Sequence, residues 1–136
     1  MPQETEIPVL ASHMGNNETV MIIDDVAEQI EIATVILKKL GYRAVSASSG
    51  EEAITYLKSA SVDILILDMV MEPGMDGLDT YKKILEIHPG QKAVIVSGYA
   101  ENNRVKQLQR LGATHYVKKP YTIDKIGKAL KEALEK

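Results

Sequence analysis

Val62-Asp63-Ile64-Leu65-Ile66-Leu67-Asp68 runs directly into Met69-Val70-Met71-Glu72-Pro73-Gly74-Met75-Asp76-Gly77. A β-rich apolar stretch that ends on a carboxylate and enters a Pro/Gly turn sets that carboxylate at the C-terminal edge of a buried strand. In open α/β sheets that edge is where ligands bind. One acid so placed is often only a turn residue. A second apolar run, Thr19-Val20-Met21-Ile22-Ile23, ends the same way on Asp24-Asp25, and the pair of them makes a shared site the better reading.

Working outward from these two runs, strands and helices alternate. Thr19–Ile23 is continuously apolar, the pattern of a parallel strand buried on both faces. Val26, Ile30, Ala33, Leu37 and Leu40 then recur at helical spacing, with Gly41 as the stop. Residues 42–47 read as strand two. Ser49-Gly50-Glu51-Glu52 has capping-box spacing and opens a helix through Leu57. Residues 63–67 are strand three, and a helix follows over about 78–87, closed by His88-Pro89-Gly90. Residues 92–96 are strand four, ending at Ser97-Gly98. A helix over 101–111 stops at Gly112. Residues 114–117 are strand five, and Thr122 caps a last helix carrying Ile123, Ile126, Leu130 and Leu134. Five β-α units with right-handed crossovers predict an α/β fold, a doubly wound parallel sheet with helices on both faces. Asp24, Asp25, Asp68, Ser97 and Lys118-Lys119 then share one sheet edge.

The 136 residues suffice for one domain. A net charge of −3 lacks the basic balance of a nucleic-acid binder. With no cysteine there is no disulfide, zinc-thiolate site or thiol nucleophile. No apolar run approaches the ~20 residues of a membrane span, and the N-terminus lacks a secretory signal. The expectation is a cytoplasmic domain without nucleic-acid or membrane contact. Residues 1–17 read as a tail, linker or tag remnant, with Ser12-His13-Met14 resembling a vector scar, and residues 18–136 as the folded domain.

Three carboxylates in one pocket repel one another unless a cation sits among them. Hard oxygen ligands of this kind suit Mg²⁺, which keeps room for water and phosphate oxygens. Ser97 adds a hydroxyl and Lys119 a point positive charge suited to a phosphoryl oxygen. Together these groups describe a site for transient phosphorylation of a carboxylate.

At this point the chain resembles the receiver domain of two-component response regulators, with the flavodoxin-like (βα)5 fold and strand order 2-1-3-4-5. The matching pieces are Ile22-Ile23-Asp24-Asp25, Leu67-Asp68, Pro73-Gly74-Met75-Asp76-Gly77, Val96-Ser97-Gly98 and Tyr116-Val117-Lys118-Lys119-Pro120. The resemblance implies Asp68 as phosphoacceptor and Mg²⁺ held by Asp24, Asp25, Asp68 and the backbone carbonyl of Val70. It implies Ser97 and Tyr116 as switch residues, Lys119 on the phosphoryl group, and a cis Lys119-Pro120 bond. A histidine kinase or histidine phosphotransfer domain would be the donor. Signalling would leave through the face of helix four, strand five and helix five, to an effector or a second copy. The wording of residues 67–78 resembles receivers at the end of hybrid sensor kinases. Glu72 departs from the family, lengthening the loop by one residue and adding a carboxylate. Val70 and Tyr99, two residues past Asp68 and Ser97, are bulky and poorly suited to positioning a hydrolytic water; they suggest a long-lived phosphoryl state.

Plainer readings exist for each residue. Asp24 or Asp25 alone would be an N-cap, Ser97 a turn residue, Lys119 a surface lysine and Tyr116 strand filler. His13, His88 and His115 receive no role. Met69, Met71 and Met75 read as loop packing, and Lys125, Lys128, Lys131 and Glu132 as a solvated helix face. Three other functions compete. A haloacid-dehalogenase-type phosphatase wants a second Asp where Val70 stands. A flavodoxin-like cofactor binder wants a phosphate loop where Asp24-Asp25 stand. A receiver-like module could bind partners without phosphorylation. A phosphoacceptor signalling domain, rather than an enzyme with turnover, fits the residues best.

Overall fold

The computed structural model describes residues 14–71, 75–98, 103–113, 115–120 and 122–135. Its strands are β1 (Thr19–Ile23), β2 (Arg43–Ala47), β3 (Ile64–Asp68), β4 (Lys92–Ser97) and β5 (His115–Lys118). The helices between and after them are α1 (Ala27–Lys39), α2 (Gly50–Leu57), α3 (Gly77–Ile87), α4 (Asn103–Leu111) and α5 (Ile123–Leu134). All strand pairs are parallel, in the order β2-β1-β3-β4-β5. The expected doubly wound sheet and its strand order are both present.

The period of two along each strand sorts the core into two layers. Val20, Ile22, Ile64, Ile66, Val94, Val96 and Val117 point to α1 and α5, where they meet Ala33, Leu37, Ile126 and Leu130. Met21, Ile23, Leu65, Leu67, Ala93 and Ile95 point the other way, to Ala53, Leu57, Tyr81, Ile84, Val105 and Leu108 on α2, α3 and α4. Both faces of the central strands are therefore buried, which is why their runs carry no polar alternation. Full burial of such side chains stabilises the fold by about 1.5–3 kcal/mol each.

Helix starts follow local chemistry. The side chains of Ser49, Asp76 and Thr122 accept from the N–H groups of Glu52, Asp79 and Lys125, each such cap contributing roughly 0.5–2 kcal/mol. Glu52 reaches back to Ser48, whose hydroxyl donates to it at 2.9 Å, one residue earlier than in the usual capping box. Val26 caps α1 without a side-chain bond, and Asp24 Oδ1 accepts the Val26 N–H at 2.9 Å instead. Capping is thus one of Asp24's duties and leaves Oδ2 for another.

Boundaries shift where pairing decides them. β3 extends to Asp68 because that residue stands in register with Val96, and the Met69 N–H continues to the Val96 carbonyl at 3.0 Å. β5 extends to Lys118, in register with Ser97, and the Lys119 N–H donates to the Ser97 carbonyl at 2.8 Å. At the opposite end, Met14–Asn17 bond to the body: Gly15 N–H to Leu40 O at 2.7 Å, Asn17 N–H to Gly41 O at 2.9 Å, and Lys131 Nζ to Met14 O at 3.2 Å. A Cβ on Gly15 would stand 2.2 Å from the Tyr42 ring. Residues 1–13 of the expected tail lie outside the described residues.

Candidate phosphoacceptor site

Two strand ends deliver the acids to one place. Asp24 and Asp25 follow β1, and Asp68 is the last residue of β3. These three carboxylates offer ligand oxygens that all lie within 4.8 Å of one another. Asp24 and Asp68 are buried and Asp25 is exposed, so the cluster opens to solvent on one side. Lys119, just past β5, puts its ammonium 3.1 Å from Asp24 Oδ2 and 3.4 Å from Asp68 Oδ1. One lysine thus bridges two buried acids. That leaves negative charge in excess, and burial together with the Asp24 carboxylate pushes Asp68 up to about 6, against the pull of Lys119 and of the Val70 N–H. An acid so raised marks a place that favours another cation. Among oxygen-binding ions a small hard divalent one fits two or three carboxylates with an open side. The donor set therefore fits Mg²⁺.

Ser97 closes β4 and is buried. It shares the sheet-face parity of Ile95, the register partner of Tyr116. Tyr116 packs on that same face, half-buried against the α2–α4 side. The two residues expected to move together thus lie on adjacent strands and one face. Val70 is 47% exposed, and its N–H points to Asp68 Oδ1 at 3.5 Å. The Lys119-Pro120 bond is cis, as the resemblance implied. Glu72, Pro73, Gly74 and Tyr99 lie outside the described residues.

The floor of the site is close-packed. Gly77 N–H donates to Met69 O at 3.1 Å, and a Cβ on Gly77 would meet the Asp68 carbonyl oxygen at 2.5 Å. Glycine is required there by the approach of two backbones. Met69 and Met71 are buried in the core, as loop packing predicts.

Some features had no sequence signal. Arg104 of α4 forms an ion pair with Asp76, 28 residues away. His88 Nε2 meets Leu57 O at 2.7 Å, tying the end of α3 to the end of α2. His115 Nε2 lies 3.2 Å from Glu132. Lys125, Lys128 and Glu132 are exposed, as a solvated face should be, whereas Lys131 is half-buried and donates to Met14 O; the first three, with His115 and Tyr116, also line a recess of about 260 Å³. Such pairs join residues distant in sequence, and no local pattern announces them.

Comparison with known proteins bears on this geometry. Residues 20–131 match the family described as the response regulator receiver domain. The chain is 30% identical over 118 residues to the sporulation initiation phosphotransferase F of Bacillus subtilis, covering 87% of this chain and 94% of that protein. It is 32% identical over 112 residues to the chemotaxis protein CheY of Thermotoga maritima, covering 82% and 92%. It is 31% identical over 129 residues to the sensor kinase CckA of Brucella abortus, where it spans 93% of this chain and only 13% of that kinase. Among solved structures, the response regulator TrrA of Thermotoga maritima, in complex with Mg²⁺-BeF, superposes with a TM-score of 0.76 at 26% identity, over 85% of this chain and 98% of that one. No helix among the described residues is long and apolar enough to cross a membrane. Motifs, strand order, acidic cluster and relatives agree, and the chain belongs to the response regulator receiver domain family.

Proposed function

We propose that this domain accepts a phosphoryl group onto Asp68 from a phosphohistidine of a histidine kinase or histidine phosphotransfer domain. The observation that carries the reading is the convergence of Asp24, Asp25 and Asp68 around the Lys119 ammonium. An Asp68 carboxylate oxygen attacks phosphorus in line as the histidine N–P bond breaks. The imidazole nitrogen leaves with the bonding electron pair and is protonated from solvent. Asp24, Asp25, Asp68 and the Val70 carbonyl would hold Mg²⁺, which supplies charge neutralisation at the phosphoryl oxygens. Lys119 exchanges its contact with Asp68 for one with the phosphoryl group. Ser97 turns its hydroxyl to a phosphoryl oxygen, and Tyr116 fills the space it leaves. The face of α4, β5 and α5 changes, and an effector or second copy reads that change. This chemistry carries with it a cytoplasmic location, and residues 18–136 as the functional unit.

The test is incubation with acetyl phosphate and Mg²⁺, followed by mass spectrometry. A mass gain of one phosphoryl group mapped to Asp68, absent in Asp68→Ala, is expected. An Asp68→Ala protein that still gains it would sink the assignment. Wild-type protein that stays unmodified yet binds partners would favour the phosphorylation-independent module. Val70, with no acid or amide to hold a water, supports a slow loss of phosphate. A Val70→Asn protein should lose it several-fold faster.

A further inference from the structure

We propose that Arg104 and Asp76 form a clamp that holds α4 in its resting position and opposes phosphorylation of Asp68. This rests on the proposed function and adds a positioning residue to it. Asp76 does two things at once. Its Oδ1 accepts the Asp79 N–H at 2.9 Å, capping α3, while its Oδ2 takes the Arg104 guanidinium. Arg104 is the second residue of α4, a helix with no acid in its first turn. A cation there faces the positive end of the helix dipole, which opposes it. Nothing within α4 compensates, and Asp76 across the gap does. A residue that breaks a local rule and is satisfied from another element is expected where function, not local stability, sets the choice.

The two ends of the clamp differ in freedom. Asp76 precedes Gly77, whose backbone is locked against Asp68 and Met69. It therefore moves only with the phosphoacceptor's own loop. The α4 end is lightly held: only Val105 and Leu108 are buried on it, against five residues on α5. One polar tie therefore weighs more on α4 than it would elsewhere. In the proposed reaction Ser97 moves toward the phosphoryl group, and residues 98–102 join it to the start of α4. A shift of α4 away from Asp76 must break the clamp. What stabilises the resting placement lowers the yield of the other state by the same factor.

The experiment uses Arg104→Gln, Asp76→Asn and the double variant. Asn remains a good N-cap, so Asp76→Asn removes the ion pair and keeps the start of α3. Phosphorylation by subsaturating acetyl phosphate should run two- to five-fold faster in each single variant. Mg²⁺ affinity by calorimetry should stay unchanged. The double variant should match the singles, because both remove one interaction, and Arg104→Lys should stay near wild type. Rates equal to wild type in both singles, slower rates, or additive effects in the double would overturn the clamp. Wild type that takes no label on Asp68 would sink the proposed function and the clamp with it. Labelled wild type with indifferent variants would sink the clamp alone.

Discussion

Replacing Asp68 with Asn should make the metal-free protein more stable above neutral pH. Asp68 is 4% exposed, and its ionisation is raised from 3.8 to about 6, chiefly by burial and then by Asp24. At ~1.36 kcal/mol per pKa unit, keeping that carboxylate charged in the fold costs about 3 kcal/mol once both states are ionised. Asn avoids the cost, in which the pull of Lys119 is already counted, but a buried amide short of one partner gives back roughly 1–2 kcal/mol. Lys119 keeps Asp24 at 3.1 Å. The net gain is about 1–2 kcal/mol, or roughly 4–8 °C in Tm for a chain of this size. The pH dependence has a definite sign. Between pH 3.8 and about 6 the unfolded chain has lost the Asp68 proton and the folded one holds it, so wild-type stability falls as pH rises through that window. The variant has no such proton. Its advantage should be absent near pH 4, grow through pH 6 and level off above pH 7. Thermal melts of both proteins in EDTA from pH 4.5 to 8 read this directly. Mg²⁺ should then reverse the order, stabilising wild type more than the variant. A Tm difference independent of pH, or a variant less stable than wild type at pH 7.5 in EDTA, would refute the electrostatic account of the site.

Lys119→Ala leaves two buried acids without their shared ammonium and should destabilise the metal-free fold by about 3 kcal/mol; chemical denaturation with and without Mg²⁺ should show the ion restoring much of it. Among the described residues the buried Tyr42 hydroxyl meets no hydrogen-bond partner, and burial, with Glu18, pushes its ionisation up to about 12. Tyr42→Phe should therefore be neutral or stabilising by up to about 1 kcal/mol, and a larger loss in urea melts would show a missed partner. Gly77→Ala forces its methyl onto the Asp68 carbonyl. It should cost about 2 kcal/mol and weaken Mg²⁺ binding by calorimetry, since the loop under Asp68 has to move.

The alternation of apolar runs and helical stripes, the capping residues and the Gly stops are local quantities. They suffice for a parallel sheet with helices on both faces and for bringing Asp24, Asp25, Asp68, Ser97 and Lys119 to one edge, because right-handed crossovers put every strand's C-terminal end on the same side; the order 2-1-3-4-5 comes from the resemblance to receiver domains. The apolar pattern ends strand three at Leu67, and Asp68 becomes the last residue of β3 because its register partner Val96 belongs to another strand. Asp24 reads from sequence as cap or ligand; in the fold its Oδ1 accepts the Val26 N–H and its Oδ2 meets the Lys119 ammonium. What could not be read was any contact whose partners lie far apart in sequence on surfaces that tertiary packing brings together. Arg104 carries no motif that points to Asp76, and His115 none that points to Glu132. The raised ionisation of Asp68 belongs to the same class. A sequence can place acids at one edge, but the depth of their burial and the reach of one lysine to both Asp24 and Asp68 are set by how strands and helices close around them.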